Sequence, residues 1–321
     1  MKLFFLNYNI FTDQIERNKL EYYLKVFITG ATGYIGHHVA KIFRINGHSV
    51  FGLTRNKKNI NKLLKNEIIP VIGNIGNKDS FIPTAIECDL IIHAAVEYSE
   101  KSAELDKNFV KEITSIESKS KKKTFIYTSG CWVYGNTKGK ADEKSELKPA
   151  KKVKWRHEVE EMVINSDNVN GVVIRPGCVY GKEGSLTNIW MNEVVNENKL
   201  SVIGSGKNHW AMIHVDDLAD LFYKTYQSNA AKEYFNAVDN SRDSVDEIVK
   251  SISKVTGYKG EIKYFTIEEA SHIVGLLAEP LAFDQHLDNS KAKSKLNWQP
   301  KYKGFVADVE IYYNSWKSNK N

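Results

Sequence analysis

The chain has 321 residues, enough for one large core with a smaller partner, and its 42% hydrophobic and 26% charged content is ordinary for a globular protein. The net charge of +6 is spread over many lysines. The densest group, Lys119, Lys121, Lys122 and Lys123, reads as a solvated helix end, and no nucleic-acid module is present. No apolar run reaches the roughly 18–20 residues that span a bilayer. Cys88, Cys131 and Cys178 show neither metal-ligand spacing nor a pairing pattern, which fits a reducing, cytoplasmic setting.

Residues 1–11 are apolar with Lys2 near the front, as in a signal sequence, but residues 12–17 offer no small-residue cleavage site. Residues 1–23 are therefore read as an N-terminal extension, with a targeting segment as the alternative. From residue 24 onward, short apolar runs alternate with helical stretches. Strands are predicted at 25–29, 49–53, 68–72, 90–94, 124–128 and 171–175. Helices are predicted at 34–46, closed by Gly47, and at 59–66, 101–118 and 153–165. The strand runs lack polar alternation, as in a parallel sheet covered on both faces. The implied fold is α/β, a doubly wound parallel Rossmann sheet over 24–181. Beyond Gly181 the pattern loosens. Helices are predicted at 185–197, 216–226 and 244–256, with 234–238 a strand returning to the main sheet. Residues 182–321 are assigned to a smaller C-terminal substrate lobe, and the polar tail from Asn314 is expected to fray.

Thr29-Gly30-Ala31-Thr32-Gly33-Tyr34-Ile35-Gly36 joins the first strand to the first helix. Gly30 permits the tight turn, Gly33 clears the approach of a pyrophosphate, and Gly36 lets the helix pack closely on the sheet. The helix N-terminus offers unpaired N–H groups and a positive dipole end to phosphate. Strand, turn, helix and next strand stand in the order the motif needs. The second strand runs into Arg55, with Lys57 and Lys58 nearby, where an acidic residue would hold ribose hydroxyls. This favours the 2′-phosphate of NADP, with NAD as the alternative.

The Thr-Gly-x-x-Gly-x-x-Gly spacing resembles that of extended short-chain dehydrogenase/reductases, which include NAD-dependent epimerase/dehydratases and dihydroflavonol-reductase-like enzymes. Further matches follow in order: Gly73-Asn74-Ile75, His93-Ala94-Ala95, Thr128-Ser129-Gly130, Arg175-Pro176-Gly177, His214-Val215-Asp216-Asp217 and a C-terminal Leu296-Asn297-Trp298-Gln299-Pro300. The resemblance covers about residues 25–310. It implies a cofactor site made by Gly30, Thr32, Gly33, Tyr34, Ile35, Gly36, Arg55, Asn74, Ile75, Ala94, Ala95, Thr128 and Pro176. It also implies an enzyme that exchanges hydride with its substrate, and often a dimer through the helices at 101–118 and 153–165.

The family's chemistry uses a serine or threonine, a tyrosine and a lysine, and here that set is altered. Gly130 stands at the serine position, with Ser129 and Thr128 as the neighbouring hydroxyls. Arg156 stands at the lysine position and Lys152 at the tyrosine position. Arg156 could keep the ribose contact but cannot give up a proton near neutral pH. Ser129, Arg156 and Tyr134 are the catalytic candidates, and Lys152 and His157 are weaker ones. Trp210 replaces the arginine that grips the diphosphate of nucleotide sugars, which suits a smaller or more apolar substrate. His93, His214, Asp216 and Asp217 read as structural, and no metal set is assigned. The expected function is an NAD(P)-dependent oxidoreductase or epimerase-like enzyme acting on a small carbonyl or alcohol. The alternative is a non-catalytic NADP(H)-binding sensor.

Overall fold

The computed structural model describes residues 23–97, 99–117, 121–137, 139–184 and 186–320. The predicted extension at 1–22 lies outside these residues. Seven parallel strands form the main sheet: β1 (Lys25–Thr29), β2 (Ser49–Thr54), β3 (Ile69–Ile72), β4 (Leu90–His93), β5 (Lys123–Thr128), β7 (Val169–Pro176) and β11 (Glu233–Ala237). Short parallel pairs join β6 (Lys140–Ala141) to β13 (His286–Leu287), β8 (Cys178–Tyr180) to β10 (Met212–His214), and β9 (Leu200–Ile203) to β12 (Ile262–Phe265).

The strand sequences explain the layering. Side chains alternate across a strand, so an unbroken apolar run must be covered on both sides. Val26 and Ile28 of β1 enter one core, and Phe27 enters the other. Ile92 and Ile91 of β4 divide in the same way, as do Ile174 and Val173 of β7. Helices α1 (Tyr34–Ile45) and α4 (Val215–Gln227) close the first core through Val39, Phe43, Leu218 and Phe222. Helices α2 (Ser102–Thr114) and α3 (Arg156–Ile164) close the second through Phe109, Ile113, Val159 and Val163. Each such side chain contributes roughly 1.5–3 kcal/mol on burial.

The sheet order is β11-β7-β5-β4-β1-β2-β3. Chain progression reverses between β1 and β4, and a crevice opens at the carboxyl ends of these strands, where ligands bind in open α/β sheets. The predicted strand at 234–238 does return to the sheet, pairing with β7 from Glu233 to Ala237.

A third core is built from Tyr180, Trp190, Trp210, Phe305, Tyr312 and Trp316, with Ile248 and Ile252 of α5 (Val245–Thr256). The expected fraying from Asn314 is corrected here. Helix α6 runs from Val309 to Ser318, and Trp316 is 3% exposed because it packs into this core. Several predicted helices are also shorter or broken, and 101–118 becomes Ser102–Thr114. Residues 59–66 become a 3₁₀ turn and Ile60–Leu64, and 153–165 starts only at Arg156. Residues 185–197 become Asn188–Asn192, followed by a π turn over Glu193–Glu197.

Candidate cofactor and active site

The three turn glycines have different reasons to be glycine. Gly30 has φ +71°, and a Cβ there would lie 2.6 Å from the Ala94 carbonyl oxygen. At Gly36 a Cβ would lie 2.3 Å from the Gly30 oxygen, so helix and strand could not approach as they do. Gly33 is exposed, has φ −82° and ψ 177°, and its Cβ would meet only the Gly30 oxygen at 3.2 Å. The fold therefore asks little of Gly33. Gly33 is also the N-cap of α1, without a side-chain cap, and no acidic residue stands in the first turn. The positive end of a 12-residue helix is thus left for an anion. Lys62 Nζ donates to the Thr32 carbonyl at 3.0 Å and brings an ammonium to the same turn.

Beside this turn, Thr29 Oγ1 accepts from the Ala94 and Ala95 amides, each at 3.2 Å. The same hydroxyl shares a 2.6 Å hydrogen bond with His93 Nδ1, whose Nε2 meets Asp106 Oδ1 at 2.7 Å. Tyr127 donates to Asp106 Oδ2 at 2.6 Å. This buried relay gives His93 a structural role and fixes the backbone of Ala94 and Ala95 against Gly30. Arg55 is 65% exposed and pairs with Glu97. Asn74 Oδ1 accepts from the Gly76 amide at 2.9 Å, and Ile75 packs on the second core. Tyr34 leaves the turn sideways and donates to the Gly181 carbonyl at 2.6 Å, while Ile35 packs on the first core.

At the end of β5, Arg156 Nη1 donates to the Thr128 carbonyl at 3.1 Å, and its guanidinium lies 5.1 Å from the Trp155 ring. Thr128 Oγ1, Ser129 Oγ and Arg156 Nε are buried and have no hydrogen-bond partner among the described residues. Each such group costs about 1–3 kcal/mol while unpaired, so a further donor or acceptor is wanted at each of these positions near the end of β5. Gly130, at the family's serine position, has extended backbone and open space: an added Cβ would meet nothing within 4 Å. Pro176 ends β7, and the following Gly177 backbone is so close to Ala211 that a Cβ would lie 2.4 Å from its oxygen.

Tyr134 does not join this group. It is 2% exposed, donates to Asn236 Oδ1 at 2.8 Å and accepts from Arg175 Nη1 at 2.8 Å. Arg175 also holds the fully buried Glu160 with two hydrogen bonds, at 3.0 and 2.6 Å. Burial pushes the Tyr134 phenol up to about 12, against the pull of Arg175. Its expected catalytic place is therefore corrected: the hydroxyl is committed to a buried network. Lys152 and His157 are exposed. Trp210 stacks on Trp190 with centroids 5.0 Å apart and donates to the Leu281 carbonyl at 3.0 Å.

The late motif is likewise occupied. His214 Nδ1 accepts from the Asp216 amide, Asp217 accepts from the Lys301 and Tyr302 amides, and Asp216 pairs with His38 and Lys182. Beyond Trp210 a cavity of about 320 Å³ opens, lined by Met212, Asp239, Arg242, His209 and His286 among others. Lys62, Glu97 and this cavity were not anticipated from the sequence. Lys62 comes from the short helix Ile60–Leu64 and Glu97 from the loop after β4, and only their charge next to the turn residues could have drawn attention to them.

A parallel sheet with a switch point, followed at its first turn by an uncapped helix end, places the fold in the Rossmann class. Residues 26–237 match the NAD dependent epimerase/dehydratase family, and the chain belongs to that family. It is 25% identical over 294 residues to an uncharacterized Schizosaccharomyces pombe protein, covering 89% of this chain and 98% of that one. It is 22% identical to a Dictyostelium discoideum sterol-4-alpha-carboxylate 3-dehydrogenase, decarboxylating, covering 67% of this chain and 71% of the relative. Among solved structures, dTDP-glucose 4,6-dehydratase from Bacillus anthracis in complex with NAD superposes with a TM-score of 0.78 at 18% identity, covering 92% and 97% of the two chains. UDP-glucuronic acid 4-epimerase from Bacillus cereus gives 0.76 at 18% identity, covering 92% and 99%. None of the described helices is long and apolar enough to cross a membrane.

Proposed function

We propose that the chain is an NAD(P)-dependent oxidoreductase or epimerase-like enzyme that acts on a small carbonyl or alcohol, not a nucleotide sugar, and prefers NADP. The observation that carries this reading is the group of unpaired buried atoms Thr128 Oγ1, Ser129 Oγ and Arg156 Nε. The nicotinamide ring supplies or accepts hydride when the cofactor is bound. Arg156 holds the nicotinamide ribose in place of the family's lysine. Ser129 donates a hydrogen bond to the substrate oxygen, and the space at Gly130 admits the substrate. Among the described residues, Tyr134 is committed to Arg175 and Asn236 and Tyr127 to Asp106, so neither phenol is free for proton transfer, and in this reading the oxygen exchanges its proton with solvent.

Arg55 supports the choice of NADP. Its exposed guanidinium can leave Glu97 for a 2′-phosphate, which offers more acceptor oxygens and more charge. The test is NADPH turnover across a panel of aldehydes, ketones and sterols. Turnover lost in Ser129→Ala and Arg156→Met supports the enzyme, and a folded protein that binds NADPH yet turns over nothing counts against it.

The non-catalytic sensor is favoured by one observation: Lys152, at the tyrosine position, is exposed and Tyr134 is buried, so the family's proton donor has no counterpart. That reading predicts NADP(H) binding without turnover and a partner whose binding follows the NADP/NADPH ratio. A homodimer through α2 and α3 would place the Lys107–Glu158 pair, which links the two helices, inside the interface.

A further inference from the structure

Residues 284–287 run extended beside the cavity and end in β13. Alternation along such a run puts Asp284 and His286 on one side and Gln285 on the other. Gln285 is 3% exposed, and its Nε2 donates to the Cys131 and Gly135 carbonyls at 2.8 and 2.9 Å. The Gln285 amide donates to the His209 carbonyl at 2.9 Å. On the other edge, the Asp284 amide donates to Asn136 Oδ1 at 2.8 Å and the His286 amide to Thr137 Oγ1 at 2.9 Å. The run is thereby fixed in register, and His209 is fixed opposite it by an isolated bridge to Ser244.

Three side chains from these fixed positions converge. His209 Nδ1 lies 2.9 Å from Asp284 Oδ1, and His286 Nε2 lies 3.5 Å from the same oxygen. The imidazole centroids are 4.6 Å apart, and one ligand atom from each residue lies within 4.8 Å of the others. All three residues are half-buried, the two imidazoles line the cavity, and Asp284 stands behind them. A tetrahedral ion with bonds of about 2.0–2.2 Å sets its ligands about 3.3–3.6 Å apart. The His286 distance to Asp284 falls within that spacing, and the 2.9 Å hydrogen bond from His209 would have to lengthen around an ion. Two nitrogens and one carboxylate oxygen suit zinc and its first-row neighbours rather than calcium or magnesium.

The geometry points to a divalent transition-metal site formed by His209, Asp284 and His286, of the zinc class, with an open position on the cavity side. It stands apart from the phosphate turn and does not depend on the cofactor reading. Pre-organisation on a fixed backbone is what such a site requires, since ligands placed by flexible loops would lose entropy on binding.

The experiment uses the full chain without an affinity tag, treated with chelator and then dialysed. Zn²⁺ is titrated by calorimetry and Co²⁺ by visible absorption. One equivalent of each ion is expected to bind, with Co²⁺ showing the d–d bands of a low-coordinate site. His209→Ala, His286→Ala and Asp284→Asn are each expected to weaken binding by more than about 10–100-fold, the range seen for outer-shell partners alone. His157→Ala, an exposed histidine outside the cluster, is expected to change nothing. In the unaltered chain, Zn²⁺ is expected to raise the melting temperature, reversed by chelator, so the test stands even if a variant misfolds. No saturable binding by the unaltered chain, or an affinity unchanged from it in both histidine variants, overturns the proposal. NADPH titration of the same samples reads the cofactor site separately.

Discussion

Replacing Gly33 by valine separates a ligand's demand from the fold's. The backbone at Gly33 has φ −82° and ψ 177°, which a valine adopts without strain, and the side chain would face solvent with one tight contact at 3.2 Å. Stability should fall by no more than about 1 kcal/mol, near the general mean for point changes. A phosphate on the uncapped end of α1 would lose far more. The dipole interaction is worth up to about 2 kcal/mol in partly buried geometry, and a charge-assisted hydrogen bond about 1.5–3 kcal/mol. Losing about 2–4 kcal/mol corresponds to roughly 30- to 700-fold weaker NADPH binding. The assay is a fluorescence or calorimetric titration of NADPH beside a thermal melt. Gly36→Val is the contrast: its Cβ would sit 2.3 Å from the Gly30 oxygen, so its melting temperature should collapse before affinity can be compared. An unchanged NADPH affinity in a well-folded Gly33→Val protein would refute the reasoning.

Gly130→Ser should leave the melting temperature within about 2 °C, because extended backbone and open space receive the side chain; a large drop means that space is not free. Arg55→Ala should weaken NADPH about tenfold, in line with the loss of one charged hydrogen-bonding partner, and leave NADH nearly unchanged. Equal effects on both cofactors would argue against a 2′-phosphate contact. Glu160→Gln strands Arg175 in the core and should cost about 3–5 kcal/mol, read as a lower urea midpoint at constant m-value. His37 and His214 are both lowered to about 4, mainly by burial, with Lys62 and Lys182 respectively adding to the effect. The unfolded chain then takes up protons first, so these groups make stability fall as pH drops from 6.5 towards 4. His214→Gln should flatten that part of a urea-midpoint profile, and an unaltered slope would remove His214 from the account.

The sheet was legible because its strands are contiguous apolar runs, and the phosphate turn because eight adjacent residues carry it. Helix ends were less so: the 3₁₀ turns at Lys57–Asn59 and Lys151–Val153 keep a helical pattern while changing the hydrogen bonds. The tail was misread because from Asn314 onward Trp316 is the one large apolar residue among polar ones, and only its helical spacing of four from Tyr312 joins it to the apolar run before. Tyr134 looked available because its partners are remote, Arg175 lying 41 residues away and Asn236 102. The same holds for His209 and Asp284, which are 75 positions apart. Local pattern reports what neighbours in the chain will do, whereas an environment assembled from crossovers carries no local signature. Arg156 is intermediate: the resemblance puts it at the family's lysine position, but its bond to the Thr128 carbonyl and its unpaired Nε emerge only from the packed structure.

Helix α6 has a bearing on how the molecule is made. Tyr180, encoded just past the middle of the chain, waits for Phe305 and Tyr312 to cover it. A ribosome has therefore produced all seven strands of the main sheet before the third core can close. During that interval, on the order of several seconds at about 5–20 residues per second, Tyr180, Trp190 and Trp210 are left without their last neighbours. A stop codon ahead of Trp316 would make that interval permanent and yield a chain that a chaperone holds and a protease removes.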